Sequence, residues 1–187
     1  MASVSIAERK ISVTEFLEMD FEEGYIYELI NGVIMRRTSP NEDHQQVSMN
    51  LSIILGSYIK AHNLGRLYAA PFDVYLTEFD LVVPDLEFVS KQNAAIVQEK
   101  SCILGVPDLI IEIHSKGTQK IDKGDKLKLY KKYGVKEYWM INPRSQGVEI
   151  YEWQNGDYEL MFSAEESGQM ESQVLENFTI DISEFFL

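Results

Sequence analysis

The sequence predicts a single α/β domain over residues 1–187, in which helices flank a mixed central β-sheet. Three observations support this fold class. Apolar residues recur at helical spacing between Asn41 and His62. Residues 109–114 form a largely apolar run of the kind found in a strand that is covered on both faces. The C-terminal third alternates strand-like runs with turn residues, as expected for strands joined by short connections.

Turn and capping residues divide the N-terminal half into distinct elements. Asn31-Gly32 between two apolar runs is a strong local signal for a β-hairpin. Asn63 is expected to end the long helix that precedes it. The predicted elements are a helix at 13–19, a hairpin with strands at 25–30 and 33–35, and a helix at 41–62.

In the second half, strands outnumber helices. Gly134 is a favourable residue to end a helix, because glycine readily adopts the left-handed conformation of a helix C-terminus. The predicted elements are strands at 66–77, 81–89 and 109–114, helices at 92–100 and 121–133, and strands at 137–141, 148–153 and 158–162.

The charge is distributed unevenly. The net charge of -13 argues against a nucleic-acid-binding protein, because such domains usually present a basic surface. The segment from Lys116 to Lys136, however, carries a net charge of +6, which leaves -19 on the rest of the chain. We predict that Lys116, Lys120 and Lys123 contact nucleic acid, although a lysine-rich helix is often only a solvated face.

Cysteine content and hydropathy bear on the cellular compartment. One cysteine, Cys102, allows no intrachain disulfide. Residues 1–10 lack the apolar stretch of a signal peptide, and no segment is apolar enough to span a bilayer. We therefore expect a soluble, cytoplasmic protein that does not bind membranes.

Acidic residues lie on strand faces that are otherwise apolar. Glu28 shares a face with Ile26 and Ile30, and Glu112 lies inside the run 109–114. Asp85 lies inside another predicted strand, at 81–89. Burying a carboxylate is costly unless it is paired, so each acid has either a structural partner or a functional one. If the strands of Asp85 and Glu112 are neighbours, the two carboxylates can bind one Mg²⁺ ion.

The helix at 121–133 carries charges on its apolar side. At helical spacing Asp122 and Lys126 continue the stripe of Leu129 and Tyr130, which faces the sheet. An inward-pointing lysine near the two acids would stabilise charge that develops on a phosphate. A structural Asp–Lys pair is the alternative. Sequence motifs of other enzyme classes are absent: there is no phosphate-binding loop, nucleophile elbow or zinc signature.

The ordered set of these residues resembles the Uma-two family of restriction-endonuclease-like proteins, a branch of the PD-(D/E)XK nuclease superfamily. The resemblance covers residues 12–185, and its strength lies in the order of the pieces. They are Tyr27-Glu-Leu-Ile-Asn-Gly32, His44, Val83-Pro-Asp85, Pro107-Asp-Leu-Ile-Ile-Glu112, Asp122, Lys126, Tyr130 and Gly134-Val-Lys-Glu-Tyr-Trp139.

The resemblance implies a restriction-endonuclease-like core, a homodimer, and a role for each acid. Asp85 matches the first metal-binding acid and Glu112 the second, while Glu28 matches an acid from the first strand. The superfamily lysine normally lies two residues after the second acid, where this chain has His114. Lys126 resembles a lysine relocated to the following helix.

His44, His114, Asp122 and Tyr130 are predicted accessory residues, although a histidine at the position of His44 is more often a core or capping residue. Two functions follow. The first is a DNA endonuclease that depends on Mg²⁺ or Mn²⁺ and uses Asp85, Glu112, Lys126 and Glu28. The alternative is a catalytically inactive nuclease-like domain that binds nucleic acid or a protein partner.

Overall fold

The computed structural model describes residues 9–98, 102–114 and 122–187, with the side chains of residues 122 and 123 outside that description. Within these residues, no helix combines the length and the apolar character needed to cross a membrane.

The described elements are three α-helices, several short helices of other types and fourteen strands. The α-helices are α1 (Val13–Leu17), α2 (Glu42–His62) and α3 (Leu127–Tyr133). Two 3₁₀-helices cover Lys91–Ile96 and Ile182–Phe186, and a π-helix covers Asp122–Lys126. The strands are β1 (Tyr25–Ile30), β2 (Val33–Thr38), β3 (Gly65–Ala69), β4 (Asp73–Thr77), β5 (Asp80–Val82), β6 (Leu86–Ser90), β7 (Val97–Gln98), β8 (Cys102–Leu104), β9 (Leu109–Ile113), β10 (Glu137–Asn142), β11 (Gly147–Gln154), β12 (Asp157–Glu165), β13 (Gln169–Glu171) and β14 (Thr179–Asp181).

The strands form two six-stranded mixed sheets and a two-stranded ribbon of β13 and β14. Sheet 1 has the order β12-β11-β10-β9-β6-β3, and only β9 and β10 run parallel in it. Sheet 2 has the order β2-β1-β5-β4-β8-β7, with β4 and β8 parallel. The mixed sheet flanked by helices is confirmed, while the second sheet was not predicted.

Sheet 1 is covered on both faces, which explains the apolar run in β9. Leu109, Ile111 and Ile113 belong to a core cluster that includes Leu51 and Leu55 of α2. Ile110, on the opposite face, belongs to a second cluster that includes residues of α3 and of sheet 2. A carboxylate on that second face therefore lies between sheet 1 and the layer formed by α3 and sheet 2.

Local signals determine several element ends as predicted. Asn41 caps α2 by accepting a hydrogen bond from the backbone N–H of His44 at 3.1 Å. Asn63 ends the same helix in the left-handed conformation, and Gly134 ends α3 at φ 69°. The hairpin of β1 and β2 turns at Asn31-Gly32 as predicted.

Two predicted strands are each divided in the structure, and one predicted helix is shorter and of another type. The structure divides 66–77 into β3 and β4, and 81–89 into parts of β5 and β6. Pro71 and Pro84 lie at the two breaks, and proline lacks the N–H that a strand ladder needs. The predicted helix at 92–100 is a 3₁₀-helix that ends at Ile96, because Val97 pairs with Ile103 in sheet 2.

Candidate active site between the two sheets

Strand register brings the acids of sheet 1 together. β6 and β9 are antiparallel neighbours, with Glu87 opposite Ile110. Glu87 therefore lies on the same face as Ile110 and Glu112. Asp85 immediately precedes β6, and its Oδ2 accepts a hydrogen bond of 2.7 Å from the backbone N–H of Ile113. The prediction that the strands of Asp85 and Glu112 are neighbours is confirmed.

Lys126 connects Glu28 of sheet 2 to Glu112 of sheet 1. Its Nζ lies 2.6 Å from Oε1 of Glu112 and 2.9 Å from Oε1 of Glu28. All three side chains are fully buried. Lys126 is the last residue of the π-helix that precedes α3, and this position directs it into the space between the sheets. The predicted inward orientation of Lys126 is therefore confirmed.

Arg37 is a second buried cation, and the sequence reasoning missed it. Its Nη1 lies 3.5 Å from Oε2 of Glu112, and its Nε lies 3.1 Å from Oε2 of Glu28. Its Nη2 donates a hydrogen bond of 2.6 Å to the carbonyl of Val83. The two cations and two carboxylates thus form one four-membered charge cluster, in which each carboxylate is paired with both Lys126 and Arg37.

Asp85 lies beside this charge cluster and contacts His44. The Nε2 of His44, in the first turn of α2, lies 3.2 Å from Oδ2 of Asp85. Burial alone would raise the pKa of Asp85, but the hydrogen bond and charge of His44, the charge of Arg37 and the N–H of Ile113 together lower it. A cavity of about 20 Å³ lined by Asp85, Arg37 and His44 has room for about one water-sized group. Asp85 is thus a charged carboxylate next to a small space.

Tyr130 holds Glu112 from the helix side. Its hydroxyl donates a hydrogen bond of 2.8 Å to Oε1 of Glu112. Burial, followed by the charges of Glu112 and Glu28, raises the pKa of Tyr130 well above its ordinary value. The phenol therefore stays protonated and acts as a fixed donor to the carboxylate.

Glu87 is a third acid on this face that the sequence reasoning did not select. It is fully buried, and neither carboxylate oxygen has a hydrogen-bond partner among the described residues. Burial, then the charges of Glu112, Asp85 and Asp73, raise the pKa of Glu87 to about 9. The sequence contained a signal for Glu87, because Asp85 and Glu87 are two positions apart and therefore lie on the same face of a strand.

Comparison with protein families and solved structures places the chain and its fold in a known group. The model of the family Uma2, described as "Putative restriction endonuclease", matches residues 13–183. This chain belongs to the Uma2 family. The crystal structure of "a putative nuclease belonging to DUF820 from Anabaena variabilis ATCC 29413" matches 94% of this chain and 97% of that chain, with a TM-score of 0.76 and 21% identity. No curated protein matches the sequence.

The resemblance inferred from the ordered motifs is thereby confirmed, and so is the nuclease-like fold. In this Uma2 protein, the structure brings together the four residues that we predicted to be catalytic, which are Asp85, Glu112, Lys126 and Glu28. Their catalytic roles stay predictions.

The structure brings two of the predicted accessory residues into contact with the candidate site. His44 contacts Asp85, and Tyr130 contacts Glu112. His114 follows β9 and lines a cavity of about 180 Å³ together with Met140 and Glu149. The remaining predicted residues lie outside the described part of the structure, either entirely or in their side chains: Lys116, Lys120, Asp122 and Lys123.

Proposed function

We propose that this protein is a metal-dependent endonuclease that hydrolyses phosphodiester bonds in DNA, with Mg²⁺ or Mn²⁺ as its cofactor. The observation that carries the proposal is the buried charge cluster of Glu28, Arg37, Glu112 and Lys126 beside Asp85. Apolar residues of similar volume would stabilise a fold as well as such a buried network does. Charged groups in this arrangement are typical of catalytic sites.

The donors of the site fit a hard divalent cation. Asp85 and Glu112 supply carboxylate oxygens from adjacent strands, and Glu87 adds an acid without a hydrogen-bond partner in the described part of the chain. In the described ranges, no three His, Cys, Asp or Glu side chains converge closely enough to hold a metal ion. Mg²⁺ often binds through one or two carboxylates and completes its octahedron with water and substrate oxygens. Asp85 and Glu112 would be those carboxylates.

The bound cation would polarise the phosphodiester and favour ionisation of the attacking water. The protein's own residues would supply the remaining effects. Lys126 and Arg37 place two positive charges beside Glu112, where they can stabilise the negative charge that develops on the phosphate. His44 and the N–H of Ile113 hold the carboxylate of Asp85 in one orientation. Tyr130 does the same for Glu112.

The position of Lys126 supports catalysis despite the histidine at residue 114. A histidine is a poorer permanent cation than lysine at neutral pH. Lys126 reaches Oε1 of Glu112 at 2.6 Å from the following helix, so a lysine is present beside the second acid. We therefore assign to Lys126 the part that the superfamily gives to a lysine two residues after that acid.

A second candidate function is nucleic-acid binding without cleavage. It is favoured by the pairing of Glu112 with two cations, because Lys126 and Arg37 compete with a metal ion for its oxygens. Cleavage that requires the acids would exclude this candidate.

The test compares nicking and linearisation of supercoiled plasmid DNA by wild type, Glu112→Gln and Glu159→Gln in Mg²⁺ or Mn²⁺. Glu159 lies exposed on β12, so its replacement is a matched control for the loss of one carboxylate. We expect wild type and Glu159→Gln to cleave, cleavage to stop in EDTA, and Glu112→Gln to be inactive while its circular dichroism spectrum is unchanged. Undiminished cleavage by a folded Glu112→Gln protein would refute the assignment.

A further inference from the structure

A second cavity, of about 630 Å³, lies at the β3 edge of sheet 1. Its floor includes Arg66 and Tyr68 of β3 and Val89 of β6. Arg66 is opposite Val89, and Tyr68 is opposite Glu87. The cavity thus lies on the same sheet face as Glu87 and Glu112, displaced toward the edge of the sheet. Its volume is in the range of small-molecule binding sites.

Two aromatic rings of this cavity are already arranged as a stack. The rings of Tyr68 and Phe72 both line it, with centroids 4.8 Å apart and an angle of 6° between their planes. Nucleobases stack on such side chains with little dependence on sequence. A planar ring can therefore continue the stack inside the cavity.

The charged residues that line this cavity are basic, whereas the chain as a whole is acidic. The chain has 30 acidic residues and 17 lysines and arginines. The described residues that line the cavity include no acid but two exposed cations, Arg66 and Lys91. Neither cation has an ion-pair partner among the described residues. The cavity is therefore suited to an anionic ligand, and cationic side chains are the usual contacts of phosphate groups.

We propose that this cavity binds a nucleotide, with the base stacked on the pair of Tyr68 and Phe72 and the phosphate near Arg66 and Lys91. Val89 and Asp85 are four positions apart along an extended chain, or about 13 Å at ~3.3 Å per residue. That span corresponds to about four nucleotides of a B-form strand at ~3.4 Å each. An unpaired base of a strand that passes Asp85 can therefore reach the cavity, and a free mononucleotide presents the same chemistry.

The test measures binding in EDTA, so that it does not depend on cleavage. The probes are deoxyadenosine monophosphate and a fluorescein-labelled single-stranded oligonucleotide. Phe72→Leu removes one ring of the stack and should weaken binding by at least about fivefold. Tyr68→Leu removes the other ring of the stack and should weaken binding by a similar factor. The matched control is Tyr25→Leu, which removes a ring that lies against Arg36 outside this cavity.

The charge contribution has its own pair of variants. Arg66→Gln should weaken binding and reduce its dependence on salt concentration. Arg144→Gln removes an exposed arginine that does not line the cavity and should leave both quantities unchanged.

The two probes distinguish the source of the nucleotide. Binding of the mononucleotide that is sensitive to Tyr68→Leu and Phe72→Leu shows a site for free nucleotides. Binding of the oligonucleotide alone, with the same sensitivity, shows a site for an unpaired base of the substrate strand. If neither probe binds, or if Tyr68→Leu and Phe72→Leu both bind as wild type does, the proposal is wrong. Retained nucleotide binding in a protein that cuts no DNA would contradict only the endonuclease activity.

Discussion

Replacing Glu87 by glutamine is predicted to stabilise the metal-free protein at neutral pH. The wild-type side chain is fully buried, and its two oxygens lack hydrogen-bond partners among the described residues. Burial and the charges of Glu112, Asp85 and Asp73 raise its pKa to about 9. Glutamine has nearly the same shape and mimics the neutral acid, but it does not have to take up a proton on folding.

The magnitude follows from proton linkage. In the unfolded chain the carboxyl group of Glu87 has its ordinary pKa of 4.5, so it is ionised at pH 7, whereas in the folded protein it is protonated. Between pH 4.5 and about 9 the folded state binds the extra proton, and stability therefore falls as pH rises through this window. From pH 4.5 to pH 7 the loss is about 3 kcal/mol, at about 1.4 kcal/mol per pH unit. Glu87→Gln should avoid that loss.

Urea unfolding of wild type and Glu87→Gln in EDTA at pH 4.5 and at pH 7 measures the effect. We expect the free energies of unfolding to be similar at pH 4.5, and the variant to be more stable by about 3 kcal/mol at pH 7. Glu137→Gln is the matched control. Glu137 is also buried, but it accepts hydrogen bonds from Trp139, Ser172 and Val174.

An amide at residue 137 cannot accept all of these bonds, so Glu137→Gln should destabilise the protein by about 1–3 kcal/mol. For Glu87→Gln, a stability difference that is the same at both pH values would refute the reasoning. So would a loss of stability at pH 7, because it would mean that the Glu87 carboxylate is ionised and paired in the folded protein.

Three further substitutions test the fold. Asn41→Ala removes the cap that accepts from the N–H of His44 and should cost about 1 kcal/mol in urea unfolding, whereas no change would mean that the cap is not formed in solution. Leu55→Ala opens a cavity between α2 and sheet 1 and should cost about 2–5 kcal/mol, while the exposed Ile53→Ala should cost less than about 0.5 kcal/mol. Equal losses for the two would contradict the orientation of α2. Gly134→Ala forces a side chain into the left-handed conformation at φ 69° and should lower stability by about 1 kcal/mol, and an unchanged melting temperature would argue against this helix end.

The sequence was sufficient to predict the parts of the site that leave a periodic signal. Glu28 and Glu112 lie on strand faces that are otherwise apolar, and Lys126 lies on an apolar helix stripe. All three are therefore charged residues in apolar surroundings. A charge in such a place has to find a partner. The structure supplies the partners by joining these residues in one buried charge cluster.

Arg37 and Glu87 were missed for different physical reasons. Arg37 lies on β2, where exposed and buried positions do not alternate regularly, so nothing in its neighbourhood marks it as buried. Its burial depends on how sheet 2 packs against sheet 1, which is a long-range property of the fold. Glu87 did share a face with Asp85 in the predicted strand, but only the register with β9 shows that this face also carries Glu112.

The predicted strand boundaries were wrong where the chain passes from one sheet to the other within an apolar stretch. Residues 66–77 and 81–89 are rich in strand-forming side chains, and propensity alone does not divide them. Pro71 and Pro84 were the available signals, since each removes a donor from a ladder. The single domain over 1–187, the homodimer and the cytoplasmic location stay predictions of the sequence.

The central claim is that Asp85 and Glu112 hold the divalent cation required for DNA cleavage. Isothermal titration of Mn²⁺ tests it most directly, in the presence of a cleavage-resistant phosphorothioate oligonucleotide that supplies substrate oxygens. The proteins are wild type and Asp85→Asn, with folding checked by circular dichroism. We predict that Mn²⁺ binds to wild type and that binding is lost in the folded variant. No binding by wild type, or equal binding by both proteins, would contradict the claim.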